Sequence, residues 1–293
     1  MTAIVLALVT SVAFGVSDFF GALAARGRGA ITGTAAVYAA ATAITVISLA
    51  FLPWEASAAA ILAGLSAGLI AIAGFVAFYA ALAIGPMSVL SPSIALVNTL
   101  VPVAAAVLLG EALMPLGWVG IIAALSAGVL VSAEPSRGQR TSWRGLGLAL
   151  LAGLLLGAAI VALDAAPPES GVLPAVLDTA IGLVVILPLL AFTRRPRTAG
   201  WLRALDRPEL SRPSGRSRFA VSAITAGILL GAANLLLVLA LQSGALAIVS
   251  VLVSLYPVVT VVLAASILRE RLAAPQLAGV ALALVAAVLL SLS

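Results

Sequence analysis

The sequence contains no cysteine, no histidine and no lysine. Without cysteine there is no disulfide framework, no thiolate nucleophile and no thiolate metal site, and the redox state of the compartment leaves no mark on the chain. Without histidine, imidazole-ligated metals and histidine bases are excluded. Charge is scarce too: 9% of the 293 residues are charged, where a soluble domain carries about 25%. In their place stand aliphatic residues, with 63% of the chain hydrophobic and a mean hydropathy of +1.28. The length alone suggests two soluble domains; the composition overrules it in favour of an all-α polytopic membrane protein. The net charge of +5 comes entirely from arginine. In such a chain it speaks to orientation in the bilayer before it speaks to nucleic acid. Lipid is an expected partner and nucleic acid is not.

A spanning helix needs about 20 mostly apolar residues. Punctuation by Gly, Pro and charge gives ten candidates, over residues 2–24, 30–51, 58–83, 87–109, 115–133, 144–164, 172–192, 219–241, 245–267 and 275–291. The N-terminal stretch has no basic residue ahead of its apolar run, as a secretory signal would. It is read as a retained first span. Short turns at 84–86, 110–114 and 242–244 make antiparallel neighbours of the helices they join.

The stretch Gly85 to Glu111 comes back as Gly244 to Glu270, 159 residues later. At that offset Gly68 falls on Gly227, Ser91 on Ser250, Glu111 on Glu270 and Gly120 on Gly279. The chain is therefore read as a duplicated unit, residues 1–134 and 135–293. Five spans per unit is an odd number, so two copies in series run through the membrane in opposite senses. The expected architecture is ten transmembrane helices as two inverted five-helix repeats around a central cavity. The loops after spans one, three, five, seven and nine hold all fifteen arginines, and the loops after spans two, four, six and eight hold none. By the positive-inside rule the odd loops are cytoplasmic and both termini outside. The longest connection, residues 193–218, holds eight arginines and is expected to anchor against anionic lipid. Trp201, Leu202, Ala204 and Leu205 supply a short amphipathic turn for the interface.

No Walker A loop, dinucleotide fingerprint or G-x-S-x-G elbow is present. Arg144-Gly145-Leu146-Gly147 opens a span with no strand before it and is not a nucleotide loop. No catalytic residue, metal ligand or cofactor site is assigned.

Polarity inside the spans carries the functional reading. In span four, Ser88, Ser91, Ala95, Asn98 and Pro102 share one face; in span nine, Ala247, Ser250, Ser254, Pro257 and Val261 repeat the spacing. Facing lipid, an amide would lack partners at a cost of several kcal/mol, so both faces should point inward. Each Ser alone can serve as helix packing, bonded back to its own helix. Pro102 and Pro257 each remove a helical hydrogen bond, freeing the carbonyls of Asn98 and Val253, and are hinge candidates or plain bends. Span three carries Gly68, Ile72, Phe75 and Tyr79 on one face; span eight carries Gly227, Gly231, Asn234 and Val238. An asymmetric pocket between them would grip an amphipathic molecule, the bland alternative being that the rings are core. Asp18 and Asp178 are the two carboxylates deep in apolar runs, and so the candidates for proton coupling. Structural roles compete: pairing with Arg26 for Asp18, an interfacial position for Asp178. Glu111 and Glu270 are expected to cap the helices that follow them, near Pro115 and Pro275.

Tyr79-Ala80-Ala81-Leu82, Gly85-Pro86-Met87-Ser88 and Leu109-Gly110-Glu111-Ala112-Leu113, repeated as Ala240-Leu241, Gly244-Ala245-Leu246 and Leu268-Arg269-Glu270-Arg271-Leu272, resemble the EamA domain. That domain occurs twice in ten-helix members of the drug/metabolite transporter superfamily. Phe14-Gly15-Val16-Ser17-Asp18-Phe19 matches the first-helix pattern of one bacterial branch. The resemblance implies a secondary transporter working by alternating access, with a cavity between its halves. Members export amino acids, other metabolites or drugs, or exchange sugar phosphates and nucleotide sugars. Many bacterial relatives are thought to have cytoplasmic termini; the arginines here argue the reverse.

The sequence thus reads as an inner-membrane exporter of small organic metabolites, amino acids or similar zwitterions first, acting as monomer or homodimer. Asn98, Ser91, Phe75 and Tyr79 from one half and Asn234, Ser250 and Ser254 from the other are the substrate-binding candidates. No interior Arg is available to fix a phosphate, which argues against sugar phosphates and nucleotide sugars. The rival is a non-transporting scaffold or lipid-handling subunit built on the same bundle. A channel would want a ring of charge that is missing, and a membrane enzyme would want a nucleophile–base pair.

Overall fold

The computed structural model describes residues 1–84, 87–132, 142–193, 200, 206, 215–267 and 272–293. Among the described residues there is no strand. The helices are α1 (Thr2–Arg28), α2 (Ala30–Ser48), α3 (Ala58–Ile84), α4 (Met87–Leu108), α5 (Pro115–Ser132), α6 (Trp143–Asp164), α7 (Leu173–Thr193), α8 (Arg216–Leu241), α9 (Leu246–Val253), α10 (Tyr256–Ile267) and α11 (Ala274–Ser291). Among the described residues nine segments are long and apolar enough to cross a bilayer, counting α9 and α10 as one, and Ser93–Leu108 within α4 is a shorter tenth. The ten expected spans are met. Ends differ where polar chemistry decides them. Arg26 and Arg28 extend α1 beyond residue 24, and α2 closes at Ser48 in 3-10 bonds such as Leu49 N–H to the Val46 carbonyl at 3.2 Å. Ser142 starts α6 by accepting the Gly145 N–H at 3.1 Å.

The outer surface is apolar in helical stripes. Val5, Val9 and Val12 on α1, Leu62, Leu65 and Leu69 on α3, and Val221, Ile224 and Ile228 on α8 are all exposed. Spacings of three and four put each set on one face, which only lipid can solvate. The main buried cluster draws on Ala106, Ile121, Leu163, Leu241, Leu252 and Leu290, from six different crossings.

Loop contacts sort the turns onto two sides. The Val172 N–H reaches the Pro53 carbonyl, and Gln242 Nε2 donates to the Gly171 carbonyl at 3.0 Å, so the turns after spans two, six and eight lie together. Ser293 approaches Gly117 and Ala3 approaches Gly244, placing both termini on that same side. On the other side Asp206, between α7 and α8, binds Thr32 at the start of α2. The Arg28 guanidinium there lies 5.0 Å over the Phe219 ring.

Helix pairing is reciprocal. The broadest contacts are α1 with α8 and α6 with α3; α8 also packs on α2, as α3 does on α7; α5 packs on α11 and α2 on α7. Gly68 makes the α3–α7 crossing close enough that a Cβ there would sit 2.5 Å from the Asp178 carbonyl oxygen. Gly227 does the same for α8 on α2, 2.5 Å from the Val37 carbonyl oxygen. Thr45 and Thr179 join α2 to α7, their hydroxyls 2.8 Å apart.

Candidate functional site

Asn98 lies at the midpoint of α4. Leu100, Ala104 and Val107 form that helix's exposed stripe, and at 100° per residue Asn98 stands roughly 150° from its centre. The face holding Asn98 and Pro102 is turned away from lipid, between the helices α6 and α9 that pack on α4. The Asn98 Oδ1 is buried without a hydrogen-bond partner among the described residues. A buried carbonyl oxygen left unpaired costs about 1–3 kcal/mol, so this position is held against its own folding preference.

Asn234 on α8 is 8% exposed, roughly 110° from the stripe of Val221, Ile224 and Ile228. Its amide makes no hydrogen bond among the described residues. Each half of the sequence therefore holds one asparagine turned away from lipid, but only the Asn98 oxygen is buried without a partner among the described residues; Asn234 shares the face that Gly227 and Gly231 pack on α2. Ser250 is 1% exposed and donates to the Leu246 carbonyl at 2.6 Å; Ser254 donates to the Val251 carbonyl at 2.7 Å. Both hydroxyls are taken up by their own helix. Ser250→Ala is accordingly expected to change transport by less than about two-fold, because the hydroxyl proton is already committed; initial rates in proteoliposomes check this.

Phe75 is half-buried and meets Tyr38 edge-on, centroids 6.5 Å apart at 87°, beside the cluster of Ile31, Ile72 and Ile186. Gly68 and Ile72 are sealed against α7, and Gly227 and Gly231 against α2. The expected pocket of aromatic rings facing bare backbone is corrected at those glycines: their close approach is spent on helix crossings. The side chains of Tyr79 and Ser91, Glu270, and all of 193–218 except Thr193, Gly200, Asp206 and 215–218 lie outside the described residues.

The two prolines behave differently. At Pro257 the ninth span is interrupted, α9 ending at Val253 and α10 starting at Tyr256. At Pro102 α4 is continuous. There the Asn98 carbonyl sits against Gly157 of α6, where a Cβ would stand 2.8 Å from it. At the broken span the approach is made by Gly15 of α1, against the Tyr256 carbonyl. Thr260 stitches the junction by donating to the Gly15 carbonyl at 3.0 Å.

Asp18 belongs to this junction. It is exposed between buried Ser17 and Phe19 and stands roughly 150° from the lipid stripe of Val5, Val9 and Val12. Its exposure is therefore toward the bundle. It stands one turn beyond Phe14, whose ring meets Tyr256 edge-on at 6.5 Å. Asp178 is 7% exposed on α7, beside the α3 crossing. Neither carboxylate has an ion-pair partner among the described residues. Tyr256 and Thr260 were not singled out from sequence.

The expectation for Glu111 is corrected. Its carboxylate does not cap α5; it accepts the N–H groups of Leu246 at 2.7 Å and Ala247 at 3.1 Å, opening α9. Ala245 offers α9 no side-chain cap, so the carboxylate fills the vacancy from 135 residues away.

The profile of the EamA-like transporter family matches residues 143–292. No curated protein matches the chain. One of the solved structures that match, described only as the crystal structure of a protein, superposes with a TM-score of 0.68 over 97% of this chain and 98% of that one. At 18% identity that likeness establishes a shared fold.

Proposed function

Since the chain belongs to the EamA-like transporter family, we propose that it is a secondary active transporter exporting small organic metabolites, amino acids or similar zwitterions first, by alternating access. The observation that carries this reading is the unpaired Asn98 oxygen on the inward face of α4. Its counterpart is Asn234 on α8. A substrate ammonium or amide donor would supply what the Asn98 oxygen lacks, and the Asn234 amide would donate to a carboxylate or carbonyl. Phe75 and Tyr79 would border the apolar part, with Ser91, Ser250 and Ser254 placed along the two inward faces.

The reciprocal helix pairing supports two inverted repeats, residues 1–134 and 135–293. The break before Pro257 supplies the hinge on one side, and Pro102 its stiffer partner. Asp18, accessible from within the bundle, and Asp178 would carry protons. The confinement of arginine in the sequence to the loops after odd-numbered spans favours an inner-membrane protein with those loops in the cytoplasm and both termini outside.

A thermal-shift screen of purified protein against a metabolite panel tests the reading. A ligand at 100 times its Kd stabilises by about 2.7 kcal/mol, a rise in melting temperature that Asn98→Ala should remove. A panel of zwitterions and amines that leaves the wild type unmoved would count against it and for a scaffold.

A further inference from the structure

Two carboxylates make the same kind of contact on opposite sides of the bundle. Glu111, in the turn between α4 and α5, holds the first two N–H groups of α9. Asp206, between α7 and α8, accepts the Thr32 N–H at 2.8 Å and the Thr32 hydroxyl at 2.9 Å, in the first turn of α2. The free N–H groups and positive end of a helix favour a carboxylate there. In both cases the capped helix has no side-chain cap of its own: Gly29 precedes α2 and Ala245 precedes α9. Neither acid serves the helix next to it in sequence. Glu111 reaches from residues 1–134 into 135–293, and Asp206 reaches back the other way.

We propose that Glu111 and Asp206 are paired latches between the two halves, one on each side of the membrane, each released when its own side opens. The proposal rests on the alternating-access reading above. If the halves rock against one another, a bond joining them at one face must break as that face opens, while the bond at the opposite face stays. Charged caps suit this, because the bond is strong while its face is closed and water takes up its groups once that face opens. The neutral contacts nearby, Val172 with Pro53 and Gln242 with Gly171, lie on the Glu111 side alone.

The absence of cysteine makes the test direct. Asn98→Cys provides one central thiol. Ala56→Cys and Ser217→Cys, each alone, report which side of a vesicle bears the Glu111 and Asp206 turns. Labelling is followed with a membrane-impermeant maleimide in vesicles of both orientations. Glu111→Ala should raise labelling of Asn98→Cys from the Glu111 side roughly five-fold, the size expected for a lost helix cap, and lower it from the opposite side. Asp206→Ala should do the reverse. Glu111→Gln and Asp206→Asn, which keep shape and one acceptor, should move in the same directions by less. Unchanged labelling, or a rise from both sides with either variant, would overturn the latches while leaving the transport reading intact. A thiol at 98 that no variant exposes from either side would overturn both.

Discussion

Asn98→Ala should cut the initial rate of transport in proteoliposomes about ten-fold or more, while the melting temperature of the purified protein holds or rises. The two halves of that expectation come from one fact. The Asn98 Oδ1 is buried and unpaired, so it contributes nothing to the folded state and costs about 1–3 kcal/mol of desolvation. Removing it relieves that cost, offset in part by the packing lost with the amide. A substrate donor that meets this oxygen gains a hydrogen bond in a dry site, and losing it costs about 1–2 kcal/mol of binding, near a factor of ten. A purely structural asparagine would behave the other way, with stability falling and transport falling only in proportion to expressed protein. Asn98→Leu sharpens the contrast, since it fills the space without a polar atom. A variant that transports at the wild-type rate would take Asn98 out of the site.

What could be read from the sequence follows the physics that is local to it. The spans were legible because twenty apolar residues in a row have few other places to go. The odd and even loops could be told apart because arginine is confined to the odd ones. The cap made by Glu111 was not, because nothing near residue 111 says that residue 246 will begin a helix beside it. The same holds for the two prolines. Pro257 marks the break, but whether Pro102 breaks α4 depends on how Gly157 seats the Asn98 carbonyl, which is a contact between distant segments. Ser250 and Asn98 looked alike as polar residues on repeated faces. Only the structure separates a hydroxyl bonded to its own helix from an amide oxygen with no partner. Tyr256 and Thr260 carry no signal in the repeat, because at the same offset they stand opposite Val97 and Val101. The asymmetry that places a tyrosine and a threonine against Gly15 of α1 leaves no mark in the repeat.

Gly68→Ala and Gly227→Ala are expected to destabilise the protein alike, by about 2–3 kcal/mol each, with Gly147→Ala neutral or stabilising. The reasoning is steric. A methyl on Gly68 would fall 2.5 Å from the Asp178 carbonyl oxygen and into the Ile181 side chain. One on Gly227 would fall 2.5 Å from the Val37 carbonyl oxygen and into Ala40. In both cases the obstacle includes backbone of a packed helix, which cannot turn aside as a flexible side chain can. Either α7 must retreat from α3, or α2 from α8. Gly147 has nothing within 4 Å of the corresponding point, so alanine there only improves helix propensity, by about 0.5–1 kcal/mol. Melting temperatures of the three variants in detergent decide the matter. Equal losses at 68 and 227 are what the proposed duplication requires, since the two glycines are 159 residues apart, the offset of the repeated stretch, and each seats a carbonyl of the helix it crosses, α7 or α2. A large loss at one and none at the other would mean that the two crossings carry different loads, and that the reciprocal pairing of helices is a likeness of shape without a likeness of energy.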